Sequence, residues 1–160
     1  MGRLAQTLNL TMVVIPQAAS DSQVLTIIRE WIDVLAREDY EAVFHAVGYA
    51  VAFDQPGAAC IQNQIKQYRS AKLYPGVTEF AVTDCRAAHG GNPSPQQLVT
   101  RYKSNSTGLA GAVDFDLPLN GRWSDLTASF VFCEPKIEGG AYVLSLEEIG
   151  SPRSEVENGV

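Results

Sequence analysis

The sequence predicts an α+β domain in which N-terminal helices pack on a curved antiparallel sheet, and three observations predict it. In the first half, Val24, Ile28, Trp31, Ile32 and Leu35 recur at three- and four-residue steps and so share one helical face. In the second half, apolar and polar residues alternate over three successive segments, the pattern of half-buried strands. Between two of those segments stands Asn120-Gly121, the favoured pair for a two-residue type I′ hairpin turn. Helices first and a meander later is the α+β order. The 160 residues suit one domain, and a composition of 46% hydrophobic and 19% charged residues excludes a disordered or collagen-like chain. A domain of this length buries about 70% of its unfolded surface, enough for one core.

Residues 1–20 form an N-terminal extension in which Leu8 to Ile15 either adds a short strand or has no regular structure. Gln6, Thr7, Asn9 and Thr11 interrupt the apolar stretch that an export signal requires, so a cytoplasmic location is expected. The domain proper spans 21–149. Ser20 and Gln23 have the spacing of a capping box and start the first helix, whose Arg29, Glu30, Asp33 and Arg37 lie off the apolar face. It stops near Arg37-Glu38, because Asp39 is a good N-cap for a second helix carrying Tyr40, Val43, Phe44 and Val47, with Gly48 as its stop. A third helix follows Pro56-Gly57, with Ile61, Ile65 and Tyr68 as its buried stripe, and Tyr74-Pro75-Gly76 breaks it.

Strands are predicted at Val77 to Thr83 and Leu98 to Lys103, with a Gly- and Pro-containing loop between them. The clearest strand has Val113, Phe115, Leu117 and Leu119 alternating with Asp114, Asp116 and Pro118. Leu126, Ala128, Phe130 and Phe132 alternate on the next, and Tyr142, Leu144 and Leu146 on the last, after a Gly139-Gly140 turn. The result is a three-stranded meander with one apolar face, which the amphipathic helices must cover. Residues 150–160 are polar and predict a disordered tail.

The stretch from Ile32 through Leu35-Ala36-Arg37-Glu38-Asp39-Tyr40-Glu41-Ala42 resembles the opening helices of the NTF2-like, or cystatin-like, superfamily. The hairpin Asn120-Gly121-Arg122-Trp123-Ser124-Asp125-Leu126-Thr127, followed by Leu144-Ser145-Leu146-Glu147-Glu148-Ile149, resembles a group of uncharacterised bacterial proteins with a G-x-W-S-D-L-T hairpin. The resemblance implies a cone of sheet and helices, commonly with an internal pocket. It implies no single activity, because the superfamily includes isomerases, dehydratases, transport factors and toxin-immunity proteins. Its enzymes place an acid or base inside the cone, and some pair a tyrosine with a carboxylate kept neutral by an apolar site. Tyr40, Tyr49, Tyr68 and Tyr74 stand in the corresponding half of the chain, and no spacing singles one out with a carboxylate partner.

The weak catalytic candidates are His45 and Asp54. His45 either points into the cone, where it could move a proton near neutral pH, or lies on an exposed helix face. Asp54 either sits in an apolar mouth or caps the turn Asp54-Gln55-Pro56-Gly57. Trp31, Phe44, His45, Tyr49, Tyr68, Trp123 and Phe130 are the candidate lining of a ligand pocket, although for Trp123 core or rim packing is the favoured reading. Asp114 and Asp116 share a strand face, read as the solvated one.

No metal or cofactor is expected. Cys85 and His89 are too few for a metal set, and the three cysteines, Cys60, Cys85 and Cys133, read as reduced thiols. No nucleotide, zincin or hydrolase-elbow motif occurs. A net charge of −6 without a basic stripe argues against nucleic acid, and no apolar run is long enough for a membrane span. The first expectation is therefore a noncatalytic binding or immunity-like module, taking a small apolar ligand or a basic protein partner. The alternative is a small-molecule isomerase or dehydratase, and a third reading is a homodimer formed through the sheet.

Overall fold

A computed structural model describes residues 12–49, 57–135 and 137–150. Among these residues, three helices pack with a curled antiparallel sheet. The elements in chain order are β1 (Val14–Ile15), α1 (Asp21–Leu35), α2 (Tyr40–His45), β2 (Gly48–Tyr49), α3 (Gly57–Gln67), β3 (Gln97–Arg101), β4 (Leu109–Leu119), β5 (Arg122–Cys133) and β6 (Tyr142–Gly150). The antiparallel strands run in the order β1-β6-β5-β4-β3, and β2 pairs parallel to β6.

Local chemistry explains each helix boundary. The capping box forms in full: Ser20 Oγ accepts from the Gln23 amide, and Gln23 Oε1 accepts from the Ser20 amide. Val24, Ile28, Trp31, Ile32 and Leu35 are the buried face of α1. The chain leaves α1 through Glu38, at φ 62° the left-handed residue of the link. Asp39 then caps α2 by accepting from the Ala42 amide. A non-glycine residue at positive φ is strained by roughly 1 kcal/mol. Glu38→Gly is therefore expected to stabilise the fold by about 1 kcal/mol, read as a higher midpoint in urea at unchanged slope.

The β4–β5 hairpin turns on Asn120 (φ 54°) and Gly121 (φ 79°), the two positive φ values that a type I′ turn demands. Register shifts at Leu109/Gly111, Asp116/Pro118 and Ser129/Phe130 interrupt the ladders, and such bulges bend a sheet. The inner face carries Val113, Phe115, Leu117, Phe130, Phe132, Leu144 and Leu146, all fully buried with the apolar faces of the helices. On the far edge, β1 covers Tyr142 and Val143 of β6, and β2 covers Ser145 and Leu146.

Four expectations need correction. Gly48 does not end α2. The helix stops at His45, and Gly48 starts β2, where its backbone pairs with Ser145. Val77 to Thr83 is not a strand beyond an isolated bridge from Val82 to Leu119. The segment bonds to the hairpin end instead: Thr83 N to Pro118 O, Asn120 N to Ala81 O, and Ala81 N to the Asn120 side chain. Gly150 belongs to β6, opposite Thr127, and not to the tail, whose residues 151–160 lie outside the described ones.

The fourth correction concerns the sheet's outer face, which is not solvated at Asp116. The segment from Cys85 to Gln96, opening with a 3-10 turn at Cys85–Ala87, covers it. Asp116 is 4% exposed and accepts from Gln96 N (2.7 Å), Thr127 Oγ1 (2.7 Å) and Asn92 Nδ2 (3.2 Å). Gly91 meets Trp123 in an isolated bridge at φ 78°, where a β-carbon would overlap the Trp123 carbonyl, so only glycine allows this approach. Asp114 is half-buried and accepts from Ser129 Oγ at 2.9 Å.

Candidate functional site

Where α3 ends, the chain builds a cluster of aromatic rings. Tyr68 follows the last helical residue, and Tyr74 closes a turn by donating its amide to Ser70 O. Phe80 comes from the extended 77–83 segment. The three ring pairs are all edge-on: Tyr68–Tyr74 at 6.0 Å, Tyr68–Phe80 at 5.1 Å and Tyr74–Phe80 at 5.0 Å between centroids. This geometry sets the positive ring edge against the negative face.

Both phenol tips are committed. Tyr68 donates to Asp125 Oδ1 at 2.5 Å, and Tyr74 lies within hydrogen-bond distance of the carbonyls of Arg122 (2.9 Å) and Leu119 (3.1 Å). Burial pushes the Tyr74 hydroxyl up to about 12. Burial, reinforced by the Asp125 carboxylate, pushes Tyr68 further still. Both therefore stay protonated as donors at any physiological pH.

Grooves flank the cluster. A small one of about 210 Å³ is lined by Ser70, Lys72, Leu73, Asn92, Pro93 and Asp125. A larger one of about 510 Å³ has Phe80 in its wall and carries Glu38, Lys66, Arg69, Glu79 and Asn120. Elsewhere, a groove of about 400 Å³ between Pro16 and α1 is lined by Ala18, Ala19, Gln23, Thr26 and Ile27 and holds no titratable group.

The predicted pocket residues that the structure describes are spread over the core, α2, the end of α3 and the hairpin. Trp31 and Phe130 meet edge-on at 5.2 Å in the core, and Trp31 Nε1 donates to Val43 O at 3.0 Å. Phe44 is half-buried on α2 with its ring edge-on to His45. Of the two readings of His45, the exposed one describes it: the side chain is 69% exposed and faces Glu41 Oε1 at 3.3 Å, one helical turn away. Trp123 packs half-buried, 6.3 Å from Phe115. Tyr49 pairs through its backbone with Leu146. Tyr40 is half-buried, its hydroxyl raised by burial and by Glu38. Asp54 lies outside the described residues.

Cys85 is buried, and burial together with the Asp33 charge pushes its thiol up to about 12, the wrong direction for a nucleophile. Its sequence neighbour His89 is exposed. Burial and Asp84 also raise the Asp33 carboxyl, whose Oδ1 is buried without a partner. Among the described residues no group of three or more His, Cys, Asp or Glu side chains is arranged to hold a metal ion. No described helix is long and apolar enough to cross a membrane.

Sequence reasoning missed the contact between Tyr68 and Asp125. Each residue was visible alone, but 57 positions separate them, and no local pattern reports such a pairing. Comparison with protein-family profiles, curated proteins and solved structures finds no match to this chain.

Proposed function

We propose that this chain is a noncatalytic binding module with an NTF2-like arrangement of helices over a curled sheet. The observation that carries the reading is the internal commitment of four buried polar side chains, with Asp33 Oδ1 the exception among the described residues. Tyr68, Tyr74, Trp31 and Asp116 each spend their hydrogen-bonding groups on partners inside the fold. An acid or base that turns over a substrate must be within reach of it, directly or through one water. These groups instead hold the molecule together and leave shape and surface charge for recognition.

A second reading, a small-molecule isomerase or dehydratase, is favoured by one feature. Asp125 lines the smaller groove while accepting from Tyr68, so a phenol and a carboxylate adjoin a space that a small molecule can enter. One experiment separates the two. Small carbonyl compounds and small zwitterions are screened by thermal shift, and each compound that raises the melting temperature is incubated with an equal amount of protein. Noncatalytic binding predicts recovery of the compound with unchanged mass and stereochemistry. Conversion that is lost in Asp125→Asn would overturn it in favour of the enzyme.

A further inference from the structure

We propose that the larger groove is a binding site for a small zwitterion with an apolar side chain, of free amino acid to dipeptide size. This inference rests on the binding-module reading and names its ligand class. Its volume of about 510 Å³ falls within the range of small-molecule sites.

The charges divide by element. Lys66, in the last turn of α3, and Arg69, two residues beyond the helix, supply two cations. Glu38, from the link between α1 and α2, and Glu79, from the extended 77–83 segment, supply two carboxylates. Among the described residues the ion pairs are Glu41–His45 and Asp21–Arg101, so these four opposite charges share a groove without pairing to one another. A ligand carrying both an ammonium and a carboxylate satisfies both sets at once, and its apolar side chain lies against Phe80. A ligand with one charge would leave the other set facing solvent.

Glu38, Lys66, Arg69 and Glu79 are exposed side chains, and what sets this groove apart from other solvated charges is the anchoring of Arg69, of the 79–81 backbone and of Phe80. Arg69 Nη1 donates to the carbonyls of Lys66 (2.7 Å) and Tyr68 (2.6 Å), which holds the guanidinium at the helix end and leaves Nε and Nη2 for a carboxylate. Asn120 fixes the 79–81 backbone from both sides, accepting from Ala81 N at 3.0 Å and donating to Glu79 O at 3.1 Å. Phe80 is held by the edges of Tyr68 and Tyr74. Glu38 has a left-handed backbone at φ 62°, a conformation in which glycine would be less strained. Walls fixed before binding reduce the ordering cost of a ligand.

The test is a titration of the full chain with L-phenylalanine, followed by backbone amide chemical shifts. The expected result is saturable movement of the Lys66, Arg69, Phe80 and Ala81 amides, with a Kd of about 10⁻⁴ to 10⁻³ M. Phenethylamine and 3-phenylpropionate, each lacking one charge, are expected to bind at least about 10-fold more weakly. Arg69→Gln should weaken L-phenylalanine by about 10-fold. Glu38→Gly should weaken it several-fold in a protein that is more stable than the parent, so loss of folding cannot explain the loss of binding. Equal binding of a singly charged analogue, affinities unchanged in both variants, or no saturation by about 10 mM would each overturn the site. That failure concerns the groove alone, because the thermal-shift screen tests the binding-module reading separately. Conversely, L-phenylalanine that saturates the groove and is chemically converted would keep the site and overturn the noncatalytic reading.

Discussion

Replacing Trp31 with alanine is expected to lower the melting temperature by about 10 °C or more. Trp31 is 2% exposed, in the middle of the buried face of α1, and its ring meets Phe130 edge-on at 5.2 Å. Truncating a buried tryptophan removes its transfer free energy and leaves a cavity, together about 3–5 kcal/mol. It also deprives the Val43 carbonyl of the 3.0 Å bond from Trp31 Nε1. A domain of this size shifts by about 2–4 °C per kcal/mol. Trp31→Phe separates the two contributions. It restores most of the packing but not the N–H donor, so its deficit should be nearer 1–2 kcal/mol. Calorimetric melting of both variants checks this. A loss under 1 kcal/mol in Trp31→Ala would mean that α1 is not seated on β5 through this ring.

Asp116→Ala is expected to cost about 2–3 kcal/mol and to loosen the segment between Cys85 and Gln96. The substitution orphans the Gln96 amide and one donor of Asn92, and leaves the Thr127 hydroxyl only a long 3.4 Å bond to Asp125 O. Each lost bond is worth about 1 kcal/mol. Hydrogen exchange should show faster exchange at the Asn92 and Gln96 amides while the β5–β6 ladder stays protected. Asp116→Asn keeps an acceptor and removes the charge, which isolates the pH dependence. Burial raises the Asp116 carboxyl above its ordinary value, against the opposing pull of its Gln96 and Thr127 donors. A raised carboxyl binds its proton more tightly folded than unfolded. Its contribution is therefore fully present below the ordinary aspartate pKa of about 4 and is lost as pH rises through the folded value. The stability of the parent relative to Asp116→Asn should fall across that window and then level off. Urea midpoints at a series of pH values measure it, and a difference that rises with pH would contradict the buried environment.

The same residue shows where reading the chain succeeds and where it stops. Alternation correctly sets Asp116 on the face opposite Phe115 and Leu117, because side chains on a strand alternate by backbone geometry alone. Alternation says nothing about what lies over that face. The covering segment is 20 residues away at Gln96 and 24 at Asn92, and its position depends on contacts that only the folded chain makes. Val77 to Thr83 fails for a related reason. Its residue types favour strands, but a strand also needs a neighbour offering a run of ladder bonds, and here the neighbour is the end of a hairpin.

The groove proposed above as a binding site was least legible. Lys66, Arg69, Glu38 and Glu79 are ordinary surface types in sequence, and with Phe80 they come from three separate segments. His45, the residue that drew notice for its chemistry, lies instead on a solvent-facing turn beside Glu41.

What the amino-acid sequence determined by itself acts within a few residues: the Ser20–Gln23 box, the Asp39 cap, the buried stripe of α1 and the Asn120-Gly121 turn. These depend on backbone bonds and side-chain periods that a short segment carries with it. Only the tertiary structure decided that Tyr68 meets Asp125, that Asp116 is roofed, and that two cations and two carboxylates face one groove. Each of those is a contact between distant segments, set by how the whole core closes, and no local preference encodes it.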